Sequence, residues 1–449
     1  MGHKGLTGKV IWPFDPEYEQ ARQEYNRAIN EYPFVIVYCY NNQDVSNAIR
    51  WAERYEIGLR IRSGGHNYEG YSIGMGKLVI DTTLMNKVEI DTFNDTLIVQ
   101  AGTRLEKLYE TVYRYGYAFP GGTCPTVAIS GLVLGGGIGL STRYLGLTID
   151  SLIEAEMVDA KGNILTANRH CNPNLFWALR GAGGGNFGVA TSYTFKLKKK
   201  VDKITLIQLV WNDNKPVRLK FLSTWQKWLE NLDRRISAFG RTYKEGASIN
   251  AFFYGKPEEA EKIIEPFLSI PGITFKNIEY VDFIDAVNII GEAYPESEKF
   301  KDTGRFVYKR LSECELSNIV SILDKAPTDY ESFVKVYSLG GAVRDVDEND
   351  TAFFYRQARY IMAISSNWEK DSEAAINKLW VARGFKYIKK LTLGSYVNFP
   401  YSNLKDYETA YFGRYVKALQ RIKAKYDPRN IFNFPQSIKP WYVSGGEPD

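Results

Sequence analysis

Histidine and cysteine are scarce in this chain, with three His and four Cys in 449 residues. Cys39, Cys124, Cys171 and Cys314 show no Cys-x-x-Cys spacing, so no zinc site is indicated. They are too sparse for a disulfide framework, and if Cys124 is used for chemistry the odd remainder fits reduced thiols. His170 and Cys171 adjoin, but adjacent residues rarely share one metal, so no metal is expected. Long apolar runs are also missing, and no stretch approaches the roughly 20 residues of a membrane span. The start, MGHKGLTGKVIWPFDPEYEQ, lacks a signal-peptide apolar core, and Leu6 stands where myristoylation at Gly2 needs Ser or Thr. A cytoplasmic protein is expected. A strong excess of one charge is absent as well. The net charge of +5 is modest, and the basic run Lys196–Lys200 follows a strand-like TSYTF, as a solvated strand end would. Nucleic acid is therefore not expected as a partner.

What is abundant is aromatic side chains, at 14% with 31 Tyr and 24 Phe. They suit core packing and also a ring-lined pocket. The length suits two packed domains. Up to about residue 201 the pattern reads as α/β. Short β-rich runs fall at Pro33–Tyr40, Leu59–Arg62, Lys77–Asp81, Leu97–Ala101 and Ile153–Asp159, with helical spacing over Gln43–Tyr55 and Arg104–Tyr115. Lys161–Asn163 reads as a hairpin turn. A short helix follows, with Asn172 as its cap, Pro173 in its first turn and Gly181 as its stop. From 202 to about 394 strands such as Leu206–Trp211 and Ser332–Leu339 alternate with longer helical patterns at Pro216–Leu232 and Lys370–Lys386. Residues 395–449, with a helix near Tyr411–Tyr426, read as a return to the first unit.

Three glycine tracts carry the site. Gly183–Gly188 (GGGNFG) matches Gly-x-Gly-x-x-Gly formally, but a helix precedes it and a strand-like run follows. That order is the reverse of a dinucleotide-binding turn, so a Rossmann reading is rejected. Arg62-Ser63-Gly64-Gly65-His66-Asn67 follows a strand; its glycines let several backbone N–H groups point at one anion, with Arg62 and Ser63 as further donors. Gly121-Gly122-Thr123-Cys124 can approach the same ligand from another side. Tight turns without a ligand would look alike.

Taken in order, SGGHNYEGYSIG, PGGTCPTVAISGLVLGGGIGLSTRYLGLTID, NPNLFWALRGAGGGNFGVATSYTF and YDPRNIFNFPQSI resemble the berberine-bridge-enzyme-like flavin oxidases of the wider vanillyl-alcohol-oxidase group. The resemblance implies an α+β fold: a two-part FAD-binding domain from residues 1–201 and 395–449, and a substrate domain over 202–394 whose antiparallel sheet is covered by helices. It implies FAD held covalently by His66, at the 8α-methyl carbon, and by Cys124, at C6. Further cofactor contacts would come from Arg62, Ser63, Gly64, Gly65, Asn67, Gly121, Gly122, Thr126, Val127, Ser130, Gly131, Gly136, Gly137, Asn186, Gly188, Val189 and Asn398. Tyr396 matches the family's proton-accepting Tyr, and Tyr68 a substrate-lining Tyr. Val127 matches a position where a small residue admits oxygen to the flavin.

Departures from plant members fall at Ile138, where those have Tyr, and at Ile361 and Ala363, where those have Lys and Gln near the pocket. The implied activity is oxidation of a small molecule with oxygen as acceptor. A carbohydrate hemiacetal giving a lactone and hydrogen peroxide is favoured. An alcohol or amine of secondary metabolism, or a dehydrogenase with another acceptor, is the alternative, and a non-catalytic flavoprotein scaffold is disfavoured by retention of His66, Cys124 and Tyr396.

Overall fold

The computed structural model describes residues 4–441; Gly2 and the ends of the two terminal segments lie outside it. The first part builds two sheets. Val35–Tyr38, Leu59–Arg62 and Leu78–Asp81 run parallel, with Lys9–Ile11 added antiparallel at one edge. Leu78–Asp81 is buried along its whole length, as a strand covered on both faces must be. The helix Asn42–Arg54 starts where the Asn41 side chain accepts the Asp44 N–H at 3.0 Å, and its Val45, Ala48, Ile49 and Ala52 face is fully buried. A second, five-stranded antiparallel sheet is centred on Val189–Lys196, flanked by Thr96–Gln100 and Leu152–Val158. Val189–Lys196 follows GGGNFG directly, and the helix Pro173–Leu179 precedes it, in the order that rules out a Rossmann turn. Asn172 departs from its expected role. It sits in the left-handed region at φ 47 and caps nothing; its amide instead donates to the Thr166 carbonyl at 2.8 Å.

From Lys203 to Ser395 the chain forms one nine-stranded antiparallel sheet. The two halves interlock through buried cations. Arg143 donates to the carbonyls of Ile236, Leu232 and Leu339, while Arg356, fully buried, pairs with Asp150 at 2.7 Å. The expected helix near 411–426 is two helices, Tyr407–Phe412 and Val416–Tyr426. They break at Gly413, whose φ of +53 and contact with the Phe354 ring leave no room for a side chain. After them the chain returns to the first unit. Lys423, fully buried, donates to the carbonyls of Asn186 and Phe432 and to the Asp427 carboxylate at 2.6–2.7 Å, and the Asn186 side chain accepts the Ile438 N–H at 2.9 Å. Truncating such a lysine leaves its carboxylate buried and unpaired, a loss of about 3–5 kcal/mol. No helix among the described residues is long and apolar enough to cross a membrane.

Candidate functional site

A cavity of about 340 Å³ lies between the glycine tracts and one face of the large sheet. Ser63 to Tyr68 form one wall, directly after the strand Leu59–Arg62. Gly65, at φ +69, turns the chain there, and a side chain at Gly64 would come within 2.7 Å of the Ala128 backbone nitrogen. The two tracts are thus packed backbone against backbone, which places His66 beside Cys124. The Thr126 hydroxyl links them, 3.0 Å from His66 Nε2 and 3.5 Å from Cys124 Sγ. Tyr25 stacks on the imidazole at 4.1 Å. Burial, and secondarily the charge of Arg104, pushes the His66 pKa down to about 4, so the ring is neutral and keeps a free lone pair at neutral pH. Burial pushes the Cys124 thiol up, against the Thr126 hydroxyl and the Thr126 and Val127 N–H groups, which favour the thiolate.

A flavin dinucleotide fits these walls. Gly131 lines the cavity, and a methyl group added there would meet no protein atom within 4 Å, so the backbone is bared to whatever fills the space. Gly64, Gly65, Asn67, Gly122, Val127, Ser130, Asn186, Gly188 and Asn398 line it, together with Ile138. Thr126 does not line it but holds the two nucleophilic side chains.

Several expected residues stand elsewhere. Arg62 is not an anion donor facing the cavity. It is buried behind the loop between Glu24 and Asp81, and donates to the Ala21 carbonyl at 2.7 Å. Gly121 backs onto the Tyr109 ring, Gly136 onto Phe353, and Val189 belongs to the apolar core. Gly137 uses its N–H on Tyr396. Tyr396 is the main correction. Its hydroxyl accepts the Gly137 N–H and the Asn398 Nδ2–H, each at 3.1 Å, and the ring is 2% exposed behind the glycine tract. The strand ends at Ser395 and a turn follows, closed by the Phe399 N–H on the Tyr396 carbonyl at 2.9 Å. It is Val397, Asn398 and Phe399 that face the cavity. Tyr396 itself does not line the cavity.

Tyr68 does line the cavity, stacked on Phe399 at 5.3 Å and 11°. Facing it, the large sheet supplies residues that the sequence did not single out. Lys335 and Tyr337 alternate along Ser332–Ser338, Arg241 and Phe239 along Ile236–Tyr243, and Asp302 follows the short strand Lys299–Lys301. Lys335 Nζ bonds Asp302 Oδ2 at 2.8 Å, and Asp302 Oδ1 accepts the Thr303 N–H at 2.7 Å. Glu298 is held by Asn367 Nδ2 at 2.6 Å and by the Tyr25 hydroxyl at 3.3 Å. Ile361 and Ala363 are fully buried and reach no cavity surface; their cross-strand partners Tyr337 and Lys335 do. A lone Lys between Val334 and Val336 in a buried strand was the one sequence signal for this end of the site. Burial raises the pKa of Tyr68, Tyr294 and Tyr337, so these phenols stay protonated and act as donors.

Comparison with known proteins adds to this geometry. Residues 33–168 match the family described as FAD binding domain, and residues 395–439 the one described as Berberine and berberine like. The FAD-linked oxidoreductase YgaK of Bacillus subtilis is 36% identical over 97% of both chains. Berberine bridge enzyme-like 16 of Arabidopsis thaliana is 27% identical, covering 90% of this chain and 84% of its own length. Among solved structures, BBE-like 1 of Physcomitrella patens superposes with a TM-score of 0.92 at 28% identity, over 98% of both chains. A chitooligosaccharide oxidase shares the fold, with a TM-score of 0.89 at 24% identity over 97% of this chain and 98% of its own.

Proposed function

We propose that this chain, which belongs to the berberine-bridge-enzyme-like FAD-linked oxidoreductases, oxidises a polyhydroxylated small molecule, a reducing-sugar hemiacetal giving a lactone, with oxygen as acceptor and hydrogen peroxide as second product. One observation carries the reading: the cavity that would hold the cofactor runs on to a sheet face where an ion pair sits among aromatic rings. Sugars offer apolar ring faces and many hydroxyls. The Tyr68–Phe399 stack and the Phe239–Tyr337 pair, edge-to-face at 4.7 Å, suit the first; Asp302, Lys335 and Asn367 suit the second. Oligosaccharide oxidases among the shared folds agree with it.

His66 and Cys124 would hold the FAD covalently, since a neutral imidazole and a thiol stand side by side at the cavity wall. Held there, FAD would supply the hydride acceptor and the route by which the electron pair reaches oxygen. The chain must take the hydroxyl proton. Tyr396 is turned away and the cavity phenols are already protonated. Both carboxylates that line the cavity have each oxygen hydrogen-bonded, Glu298 by Asn367 and Tyr25 and Asp302 by Lys335 and the Thr303 N–H, but Asp302 is the one beside the rings of the proposed sugar end, its charge acting on Tyr68 and Tyr337. Asp302, buried to 3% and oriented by Lys335 and the Thr303 N–H, is the proton acceptor.

The test is anaerobic mixing of the holoenzyme with D-glucose, cellobiose, a chitooligosaccharide and a xylooligosaccharide, followed by the flavin absorbance. Bleaching by at least one reducing sugar, with peroxide formed on admitting air, is expected. Bleaching by aliphatic alcohols or amines but by no sugar would overturn the reading.

A further inference from the structure

Arg241 and Lys335 are direct cross-strand partners in the large sheet, and both line the cavity. Like charges directly opposite each other destabilise an antiparallel pair unless something neutralises them. Lys335 has its counter-ion in Asp302 at 2.8 Å. Arg241 has none: among the described residues no carboxylate lies within 4.0 Å of it, and its guanidinium carbon stands 5.4 Å from the Phe333 ring centroid. Glu298 shares the cavity, but Asn367 and Tyr25 hold it. Arg241 is exposed, and its charge acts on the Tyr294 and Tyr337 phenols that line the same cavity. Nearby on the same lining, Ser365 is fully buried and its hydroxyl has no hydrogen-bond partner. A buried hydroxyl without a partner is uncommon, and one on a cavity wall is a donor kept for a ligand.

We infer that Arg241 is the anchor for a carboxylate on the substrate, so that the preferred substrate is an acidic sugar, with a uronate carboxylate on Arg241 and the oxidised hemiacetal towards Asp302. This rests on the proposed sugar-oxidising site. The guanidinium offers two parallel N–H donors that match a carboxylate. The Ser365 hydroxyl, deeper in, is free to donate to a sugar hydroxyl.

The experiment has two arms on the holoenzyme. In the first, steady-state oxygen uptake compares D-glucuronate with D-glucose, and D-glucose 6-phosphate with both. The uronate is expected to have a KM at least tenfold below that of glucose. Arg241→Gln should erase that ratio, and Arg241→Lys should restore part of it. In the second arm, calorimetry compares binding of D-gluconate and of sorbitol, which lack a hemiacetal. Tighter gluconate binding, lost in Arg241→Gln and weakened by raising salt, is expected whether or not the enzyme oxidises sugars. If gluconate binds in this way while no sugar bleaches the flavin, the sugar-oxidase reading fails and the anchor stands. Equal binding of gluconate and sorbitol, or a gluconate preference that survives Arg241→Gln, overturns the anchor. A lower KM for the 6-phosphate than for the uronate overturns its assignment to a carboxylate.

Discussion

The Tyr396 hydroxyl accepts the backbone N–H of Gly137 at 3.1 Å, across 259 residues of sequence. This contact removes the phenol from the cavity and uses it as a brace for the glycine tract. Tyr396→Phe is therefore expected to change the rate of substrate-driven flavin reduction by less than about threefold, while costing roughly 1–3 kcal/mol of stability for the unsatisfied Gly137 N–H. Asp302→Asn, by contrast, should slow reduction by about 10²–10⁴, the usual worth of a positioned base. Stopped-flow reduction and urea unfolding of both variants separate the two roles; a large rate loss in Tyr396→Phe with little loss in Asp302→Asn would reverse the assignment.

Covalent attachment is checked by mass. The purified protein should keep its yellow colour in an acid-precipitated pellet, and one FAD should be found on peptides containing both His66 and Cys124. His66→Ala or Cys124→Ala alone should leave the flavin on the other residue. Release of free FAD from the unaltered protein on denaturation would remove the double linkage.

Val127 lines the cavity three residues after Cys124 and donates its N–H to the Cys124 carbonyl at 3.4 Å. One added methylene is felt in a packed wall. Val127→Leu is expected to slow reaction of the reduced enzyme with oxygen by tenfold or more, on the order of the effect of blocking a small-molecule path, while reduction by substrate stays within about twofold. Mixing pre-reduced enzyme with aerated buffer measures it; equal rates would point to a different acceptor.

Arg62, buried between Glu24 and Asp81, is predicted to serve stability and not anion binding. Arg62→Ala should destabilise the protein by about 3–5 kcal/mol, since two buried carboxylates lose their counter-ion. At temperatures where the variant remains folded, its FAD content should match that of the unaltered protein. Loss of FAD from a still-folded variant would restore Arg62 to the cofactor site.

The depressed pKa of His66 links stability to pH. Its folded value of about 4 lies below the ordinary 6.5, so the folded apoprotein binds fewer protons than the unfolded chain between those values. The contribution is complete above pH 6.5 and is lost as pH falls towards 4. Unfolding of the apoprotein from pH 7 to 4.5 should show a loss that His66→Asn diminishes; identical profiles would mean that the imidazole titrates normally.

Much of the site's cofactor side was legible in the sequence, because it is built from contiguous segments. The strand Leu59–Arg62, the helix Asn42–Arg54 and the loop that carries His66 follow from local periodicity and two glycines. The substrate side was not, because register makes it. Asp302 and Lys335 meet across 33 residues, and Arg241 and Lys335 through strand pairing. Tyr396 misled for a related reason. The strand ends at Ser395, just before Tyr396, and nothing local marks that end, so packing decides which side chains of the following turn face the cavity.

The closure of Ile438 on Asn186 has a consequence for biosynthesis. The two residues are 252 apart, and the Lys423 clamp lies within the same span. At about 5–20 residues per second, a ribosome needs on the order of 13–50 s to travel from one to the other. Throughout that interval the nascent chain carries its glycine tracts without the segment that backs them. The large antiparallel sheet, translated in between, can therefore pair its strands before the cofactor wall is whole, and cofactor capture becomes a late event in the life of each new molecule.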